Sequence, residues 1–133
     1  MSTKTVSDRE DPVIETRDQL IAAIAKGEKP KDRWRIGTEH EKFVYNRTDH
    51  HAPSYDEPGG IRDLLMAMTE FGWEPVYENG KVIAMSGTDG AVSLEPAGQL
   101  ELSGAPLENL HQTCAETGRH LKQVKAIGDR TNT

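Results

Sequence analysis

The amino-acid sequence predicts an α+β fold in which helices cover one face of a mostly antiparallel sheet. Segments with helical and extended patterns follow one another in the order helix, strand, helix, three strands, helix. An Asn-Gly pair between two short apolar runs predicts a tight hairpin. A long apolar stripe near the end of the chain predicts a helix that packs on the sheet. Together these patterns favour a layered α+β arrangement.

Two helices are expected in the first half of the chain. Thr16 and Gln19 have the spacing of a capping box, and apolar residues then recur at helical spacing up to Gly27, where the helix should end. A second helix is expected from Ile61, where apolar residues return at positions i, i+3, i+4 and i+7, and Gly72 should close it.

The first strand and its following loop are expected between these helices. Residues 34–45 have an extended pattern, and residues 46–60 are rich in Asn, Asp, Pro and Gly, which is typical of a loop. After the second helix, residues 76–86 predict a hairpin around Asn79-Gly80, because these two residues readily adopt the positive φ angles of a type I′ turn.

One further strand is expected over residues 91–103, with a bulge or bend at Pro96 and Gly98. The last helix should begin at Pro106, with Ser103 or Gly104 near its cap. Its apolar stripe has spacings of three and four residues and consists of Leu107, Leu110, Cys114, Thr117, Leu121 and Val124. Continued to about Ile127, this helix would be about 30 Å long.

Length and charge limit the classes of function. The 133 residues suffice for one domain or part of a larger one. The 16 basic and 22 acidic residues give a net charge of −6, which disfavours binding to nucleic acid. No run of about 18 apolar residues is present, so no membrane span is expected.

The N-terminal residues and the cysteine content suggest a compartment. Residues 1–12 are polar and of mixed charge, so they are expected to form a flexible arm, and they lack the apolar stretch of a secretory signal. Cys114 is the single cysteine, which excludes a disulfide within the chain. These features favour the cytoplasm.

Alternation of side chains along the strands indicates a site. Glu39 and Glu41 share one face of the first strand, about 7 Å apart. In the last strand, Glu95, Gln99 and Glu101 share one parity. The other parity is apolar and consists of Leu94, Leu100 and Leu102. If the apolar side packs on the long helix, the acidic side points away from that helix.

The acidic residues Glu39, Glu41, Glu95 and Glu101 are therefore expected to line one concave face, with the Gln99 amide beside them. Carboxylates packed this closely raise one another's pKa, and a divalent cation or a basic side chain usually relieves the repulsion. Mg²⁺ prefers oxygen ligands and commonly bridges protein carboxylates to phosphates. Mg²⁺ ions on this face would serve phosphoryl transfer from ATP.

Simpler interpretations remain open for each candidate. A Glu-x-Glu pair on a strand is most often a solvated sheet face. His40 points to the opposite face from the glutamates, which speaks against joint zinc binding, and the His50-His51 pair is expected to have a structural or solvent role. Cys114 is expected to be a buried core thiol. His111 and His120 are expected at the surface or on the helix flank.

Three blocks of sequence resemble the plant- and proteobacterial-type glutamate–cysteine ligases. Residues 36–43, Ile-Gly-Thr-Glu-His-Glu-Lys-Phe, resemble the opening strand of that family. Residues 93–107, Ser-Leu-Glu-Pro-Ala-Gly-Gln-Leu-Glu-Leu-Ser-Gly-Ala-Pro-Leu, resemble its next block, and residues 111–116, His-Gln-Thr-Cys-Ala-Glu, continue it. The similarity runs from about residue 34 to residue 129.

The resemblance implies an ATP-dependent carboxylate–amine ligase with a glutamine-synthetase-like fold, in which a curved antiparallel sheet carries Mg²⁺-binding glutamates. Glu39 and Glu41 match the family's first-strand metal ligands, and Glu95 and Glu101 match acidic positions of the later strand. Gln99 has no assigned role. The implied reaction is the first step of glutathione synthesis: ATP phosphorylates the γ-carboxylate of glutamate, and the cysteine amine displaces phosphate to give γ-glutamylcysteine.

Family members are several times longer than this chain. The resemblance therefore implies the N-terminal part of a single catalytic domain that is inactive alone, with the adenine pocket and the substrate clamps beyond residue 133. Catalytic residues and oligomeric state are left open. The alternatives are a non-catalytic module that binds Mg²⁺ or Ca²⁺, and a paired-carboxylate hydrolase, which would need a glutamate with a raised pKa in an apolar pocket.

Overall fold

The computed structural model describes residues 13–88 and 90–133, which divide into two compact units. The larger unit consists of the described residues from Arg35 to Thr133, and the smaller one of those before Arg35. The expected flexible arm, residues 1–12, lies outside the described residues. None of the helices in the described ranges is long and apolar enough to cross a membrane.

The smaller unit contains helix α1, Arg17–Ala25. The Thr16 Oγ1 accepts a hydrogen bond from the Gln19 backbone N–H at 3.2 Å, and the Gln19 Oε1 accepts one from the Thr16 N–H at 3.1 Å. These reciprocal bonds satisfy two free donors of the first turn and confirm the predicted capping box. The C-cap is Lys26, so the helix ends just before Gly27.

The larger unit is α+β, as the sequence predicts. Its described strands form one sheet in the order β1-β5-β4-β3-β2, and every neighbouring pair is antiparallel. The bounds of its elements are β1 Glu39–Lys42, α2 Ile61–Ala67, β2 Glu74–Glu78, β3 Lys81–Gly87, β4 Gly90–Glu95, β5 Gln99–Gly104 and α3 Leu110–Thr131.

The second helix and the first hairpin confirm the local sequence signals. Helix α2 continues into a 3-10 turn over residues 68–71, and Gly72 ends it with a left-handed φ of 85°. Strands β2 and β3 are joined by Asn79 and Gly80, whose φ angles of 50° and 78° are those that a tight hairpin requires.

The prediction of a single bent strand over residues 91–103 is wrong. The chain reverses at residues 96–98, so that β4 and β5 pair with each other from Gly90 opposite Gly104 to Glu95 opposite Gln99. Ala97 and Gly98 both adopt positive φ angles, 64° and 76°. Two successive left-handed residues turn the chain back on itself, whereas a bulge would only have offset its register.

The first strand is shorter than predicted, and the last helix starts later. Regular pairing of β1 covers only Glu39–Lys42, and before it Ile36 forms an isolated bridge with Leu107. Because Leu107 is held in this bridge, α3 begins at Leu110 instead of Pro106. Its N-cap is Asn109, whose side chain accepts a hydrogen bond from the Gln112 N–H at 3.1 Å. The expected caps, Ser103 and Gly104, belong to β5.

The core lies between one face of the sheet and helices α2 and α3. Its fully buried side chains are Leu65, Met68, Met85, Val92, Leu100, Leu102 and Ile127. The burial of Leu100 and Leu102 against this core confirms the predicted apolar face of that strand. At about 25 cal/mol per Å², burial of such side chains is the main term that stabilises the unit.

The predicted apolar stripe of the last helix is largely wrong. Leu110 and Leu121 are 72% and 43% exposed, and Cys114 is exposed rather than a core thiol. The buried side of α3 is instead formed by Glu116, His120, Ile127 and Gly128. The helix is thus rotated relative to the expected stripe, because its packing on α2 and β5 decides which side faces the sheet.

Candidate metal centre

The four predicted glutamates lie on one face of three adjacent strands. Strand β5 lies between β1 and β4, and Glu101 of β5 is directly opposite Glu41 of β1. Glu95 of β4 is opposite Gln99 at the other end of β5. Residues opposite each other in an antiparallel pair point to the same side, and residues two apart on one strand do so as well. Glu39 therefore joins this face, which we call the acidic face.

The reversal at residues 96–98 leaves this arrangement intact. A bent strand and a hairpin both keep Glu95 and Glu101 on one face, because Glu95 pairs with Gln99 and Gln99 lies two residues before Glu101. The hairpin brings the two carboxylates onto neighbouring strands. The opposite side of β5 carries Leu100 and Leu102, which are buried in the core. The acidic face thus points away from helices α2 and α3.

The register places Glu41 and Glu101 at a close pair of the sheet. The Gly104 N–H donates to the Thr38 carbonyl at 2.8 Å, which makes Thr38 and Gly104 a hydrogen-bonded pair. Hydrogen-bonded and non-hydrogen-bonded pairs alternate along an antiparallel ladder. Glu41 and Glu101 therefore form a non-hydrogen-bonded pair, the kind in which side chains approach most closely.

Neutral donors orient two of the carboxylates. The Gln99 side-chain amide donates a hydrogen bond to the Glu41 carboxylate, and the Ser103 hydroxyl donates to Glu101 Oε1 at 2.5 Å. Within the described ranges, none of the four glutamates forms an ion pair with Lys or Arg. Uncharged groups therefore orient Glu41 and Glu101, and no basic side chain of the described residues pairs directly with the four carboxylates.

The carboxylates interact electrostatically. The pKa of Glu95 is raised above its ordinary value, first by the negative charge of Glu101, then by burial, and further by the charges of Glu41 and Glu39. Each charge disfavours the ionised form of its neighbours. Lys42 lies on the other side of β1, where burial lowers its pKa to about 8 although the charge of Glu101 raises it. A cation on the acidic face would relieve this repulsion.

The carboxylate oxygens of the acidic face are donors that Mg²⁺ accepts, and they fit a site completed by water and phosphate better than a site made of protein ligands alone. In the described part of the chain, no group of three or more His, Cys, Asp or Glu side chains is placed so that it could hold a metal ion by itself. Mg²⁺ usually keeps several waters and uses one or two protein carboxylates together with substrate phosphates. Glu39 and Glu41 are exposed and Glu101 is buried, so only one or two of these carboxylates need contact the ion directly, which is compatible with that mode of binding.

His40 lies outside the acidic face, as predicted, and the His50-His51 pair lies in the loop for which a structural or solvent role is expected. His40 faces the opposite side of β1, and its Nδ1 lies 2.8 Å from the Lys42 Nζ. His51 bridges two loop carboxylates, with Nδ1 2.6 Å from Asp49 Oδ1 and Nε2 2.8 Å from Glu57 Oε1. These hydrogen bonds raise the pKa of His51, and they tie the loop together.

Helix α3 carries a buried polar pair that the sequence did not predict. Glu116 and His120 are only 4% and 2% exposed, so the expectation that His120 lies at the surface is wrong. The Ala105 N–H donates to Glu116 Oε1 at 2.8 Å, whereas Glu116 Oε2 and both ring nitrogens of His120 have no hydrogen-bond partner in the described structure. Their i, i+4 spacing was the available signal, since it places both on one side of a helix.

A cavity of about 100 Å³ adjoins this pair, and Trp73, Arg119 and Gln123 also line it. The pKa of His120 is lowered to about 4, first by burial and then by the nearby positive charges of Lys42 and His40. The imidazole is therefore neutral near pH 7. Buried polar atoms without a protein partner are usually satisfied by water, and this cavity has room for it.

The family model and the similar proteins that match this chain are all glutamate–cysteine ligases. The family model described as glutamate-cysteine ligase family 2 (GCS2) matches residues 35–131. Glutamate–cysteine ligase A, chloroplastic, of Oryza sativa subsp. japonica is 50% identical over 115 residues, which are 86% of this chain and 23% of the rice protein. Glutamate–cysteine ligase, chloroplastic, of Arabidopsis thaliana is 51% identical over 115 residues, 86% of this chain and 22% of that protein. The chain thus spans about a quarter of the length of these relatives.

The prediction of a cytoplasmic protein is wrong in the light of these relatives, which are described as chloroplastic. The features that favoured the cytoplasm were a single cysteine and residues 1–12 without the apolar stretch of a secretory signal. Both features are equally compatible with other compartments in which thiols stay reduced, so they could not single out the cytoplasm.

Proposed function

Since the chain belongs to glutamate–cysteine ligase family 2, we propose that it contributes part of the active site of an ATP-dependent ligase that makes γ-glutamylcysteine. The observation that carries this proposal is the acidic face, where Glu39, Glu41, Glu95 and Glu101 lie together and form no ion pair with a basic residue of the described ranges. The relatives' names support the reaction. A plastid is the proposed compartment, following the same names.

The proposed reaction has two steps. A γ-carboxylate oxygen of glutamate attacks the terminal phosphorus of ATP, and ADP leaves. The amine nitrogen of cysteine then attacks the carbonyl carbon of the γ-glutamyl phosphate, loses a proton, and expels phosphate. Both glutamate and ATP are anions, so they can approach four carboxylates only if positive charge intervenes.

The glutamates of this chain would bind the metal ions that supply that positive charge. We propose Glu39, Glu41, Glu95 and Glu101 as Mg²⁺ ligands, directly or through water. Bound Mg²⁺ would neutralise charge between the ATP phosphates and the carboxylates. The Gln99 amide fixes the Glu41 carboxylate, and the Ser103 hydroxyl fixes that of Glu101, so both are oriented before the ion arrives.

The five-stranded antiparallel sheet with helices on one face is also compatible with a glutamine-synthetase-like catalytic fold, which we propose for the whole enzyme. The 133 residues are the proposed N-terminal part of its catalytic domain. Because three quarters of the relatives' length has no counterpart here, we expect no turnover by this chain alone.

Calorimetric titration of the chain with MgCl₂, with and without ATP, tests the metal site. We expect Mg²⁺ binding that strengthens when ATP is present, and at least a tenfold loss of affinity in Glu41→Gln and Glu101→Gln. Glu78→Gln is the matched control, since Glu78 is an exposed glutamate of β2 at the opposite edge of the sheet. Equal affinities in all variants would refute the site.

The same preparation tests the expected inactivity. Phosphate release is measured with ATP, glutamate and cysteine together, and we expect no rate above the background without enzyme. Metal binding that ATP leaves unchanged would favour the alternative of a non-catalytic metal-binding module. Sustained turnover would show that the 133 residues suffice for catalysis.

A further inference from the structure

Strand β5 ends at Gly104, next to the acidic face. Ser103, one residue earlier, lies on that face, where it stands opposite Glu39 of β1. The Ser103 hydroxyl donates a hydrogen bond to Glu101 Oε1 at 2.5 Å. Because side chains of opposite and alternate positions in a sheet are close neighbours, the position of this strand end affects the spacing between the Glu39 and Glu101 carboxylates.

The backbone donors that follow Ser103 have partners on two different elements. One of residues 104–107 is proline, so this segment has three backbone N–H groups. Two of them donate to carbonyls of the segment that leads into β1, those of Thr38 and Ile36, each at 2.8 Å. The third, the Ala105 N–H, donates to Glu116 Oε1 of helix α3, also at 2.8 Å. A side chain of α3 thus completes the hydrogen bonding of the strand end.

The Glu116 carboxyl group lies directly against this strand end. A Cβ atom at Gly104 would be 2.8 Å from the carboxyl carbon of Glu116, so glycine is the residue that leaves room for it. Glu116 is buried, and within the described ranges it forms no ion pair with Lys or Arg. Burial of a carboxylate is costly, but an apolar side chain in its place would leave the Ala105 N–H without a partner.

We propose that Glu116 is a positioning residue for the metal site, which fixes the end of β5 from the helix side of the sheet and thereby places Ser103 and Glu101 on the acidic face. The proposal rests on the proposed function, since it takes the acidic face as the metal site. Glu116 contacts neither the ion nor a substrate in this role. Without its bond to Ala105, strand pairing alone would hold the end of β5, and the Ser103 hydroxyl would lose its fixed distance from Glu101.

Calorimetric titration of the chain with MgCl₂ tests the proposal in two variants of one residue. Glu116→Ala removes the acceptor of the Ala105 N–H, and we expect Mg²⁺ to bind on the order of tenfold more weakly. Glu116→Gln keeps a carbonyl oxygen that accepts the same bond, so we expect it to restore the native affinity. Native affinity in Glu116→Ala, or an equal loss in both variants, would overturn the proposal.

Val82→Ala separates positioning from a general loss of stability. Val82 is a buried residue of β3, and β4 lies between that strand and β5. We expect this variant to have a lower melting temperature and an unchanged affinity for Mg²⁺, at a temperature where circular dichroism shows every variant to be folded. If Val82→Ala weakens Mg²⁺ binding as much as Glu116→Ala does, the effect is one of stability and the proposal is wrong.

Two-dimensional NMR of the metal-free chain tests the positioning without relying on Mg²⁺. We expect Glu116→Ala to shift the backbone amide signals of Glu39, Glu101 and Ser103, and Val82→Ala to leave them unchanged. Unshifted signals in Glu116→Ala would overturn the proposal even if the native chain binds Mg²⁺. A native chain that does not bind Mg²⁺ refutes the metal site itself, and the NMR result then decides separately whether Glu116 positions the carboxylates.

Gly104→Ala tests the same contact if Glu116→Ala does not fold. The added Cβ would force the Glu116 carboxyl group, which is the end of a flexible side chain, away from the strand. We expect the same weaker binding of Mg²⁺ and the same shifted amide signals. Native affinity and unshifted signals in Gly104→Ala would show that the acidic face does not depend on this contact, and would overturn the proposal.

Discussion

Ionisable side chains on the two faces of the sheet at β5 have pKa shifts of different physical origin. On the acidic face, four glutamates remain close together, and the pKa of Glu95 is raised mainly by the charge of Glu101. On the helix face, His120 is buried with a pKa of about 4 and stays neutral, mainly because burial disfavours its charged form. Repulsion between like charges dominates the first face and desolvation dominates the second. The first face therefore favours a cation, and the second favours neutral packing.

The largest expected effect on stability comes from the buried core beneath β5. Leu102→Ala removes a fully buried side chain of β5, and we expect it to lower the free energy of unfolding by about 2–5 kcal/mol, through lost burial and the cavity left behind. Chemical denaturation monitored by circular dichroism measures the change. Leu110→Ala is the matched control, because Leu110 is 72% exposed, and we expect a change within about 0.5 kcal/mol.

A comparable loss for both leucines would contradict the assignment of the buried side of α3. It would mean that the apolar stripe of the sequence, and not Glu116 and His120, faces the sheet.

The second-largest expected effect is a loss of stability at low pH that arises on the helix face of the sheet. His120 has a pKa of about 4 in the folded protein against an ordinary value of 6.5, so between these values the unfolded chain binds a proton that the folded chain does not. Stability is therefore retained above pH 6.5 and lost as the pH falls toward 4. We expect a loss on the order of 2 kcal/mol, allowing for partial access of water to the cavity.

Denaturation curves at pH 7, 6, 5 and 4 measure this loss, and His120→Leu is the informative variant. Leu cannot be protonated, so the variant should lose less stability over this range than the native chain. If both proteins lose stability in parallel, acid unfolding arises elsewhere, for example from the ion pairs of Asp129 or from the His51 loop.

The smallest effect concerns the acidic face. Glu95→Gln removes one of four mutually repelling charges, so in the presence of EDTA we expect a slightly higher melting temperature than that of the native chain. In excess Mg²⁺ the order should reverse, because the native chain then gains from binding the ion. Scanning calorimetry in both buffers measures the difference. For the control Glu78→Gln, the difference in melting temperature from the native chain should be the same in EDTA and in Mg²⁺. If the difference for Glu95→Gln is also unaffected by Mg²⁺, no cation binds this face.

Local signals predicted the elements that depend on near neighbours. The Thr16–Gln19 capping box, the turn at Asn79-Gly80 and the end of a helix at Gly72 were all predictable, because each depends on the conformation of only a few consecutive residues. The candidate site was predictable for a similar reason. Alternation along a strand places Glu95, Gln99 and Glu101 on one side whether the chain bends or reverses between them.

Elements decided by distant contacts were not predictable. The bridge between Ile36 and Leu107 delays the start of α3, and nothing near Pro106 in the sequence signals it. The choice between a bulge and a full reversal at Pro96 depends on whether β5 finds a partner in β4 and another in β1.

The sequence by itself determined the alternation of acidic and apolar residues, the capping box of α1, the turn at Asn79-Gly80 and membership of the family, because these are properties of residue order. Only the tertiary structure decided that Glu41 stands opposite Glu101, that Glu116 and His120 are buried, and that Leu110 is exposed. The physical reason is that register and burial arise from contacts between residues far apart in the chain. The free energy of those contacts outweighs the preference of any single helix for its most apolar side.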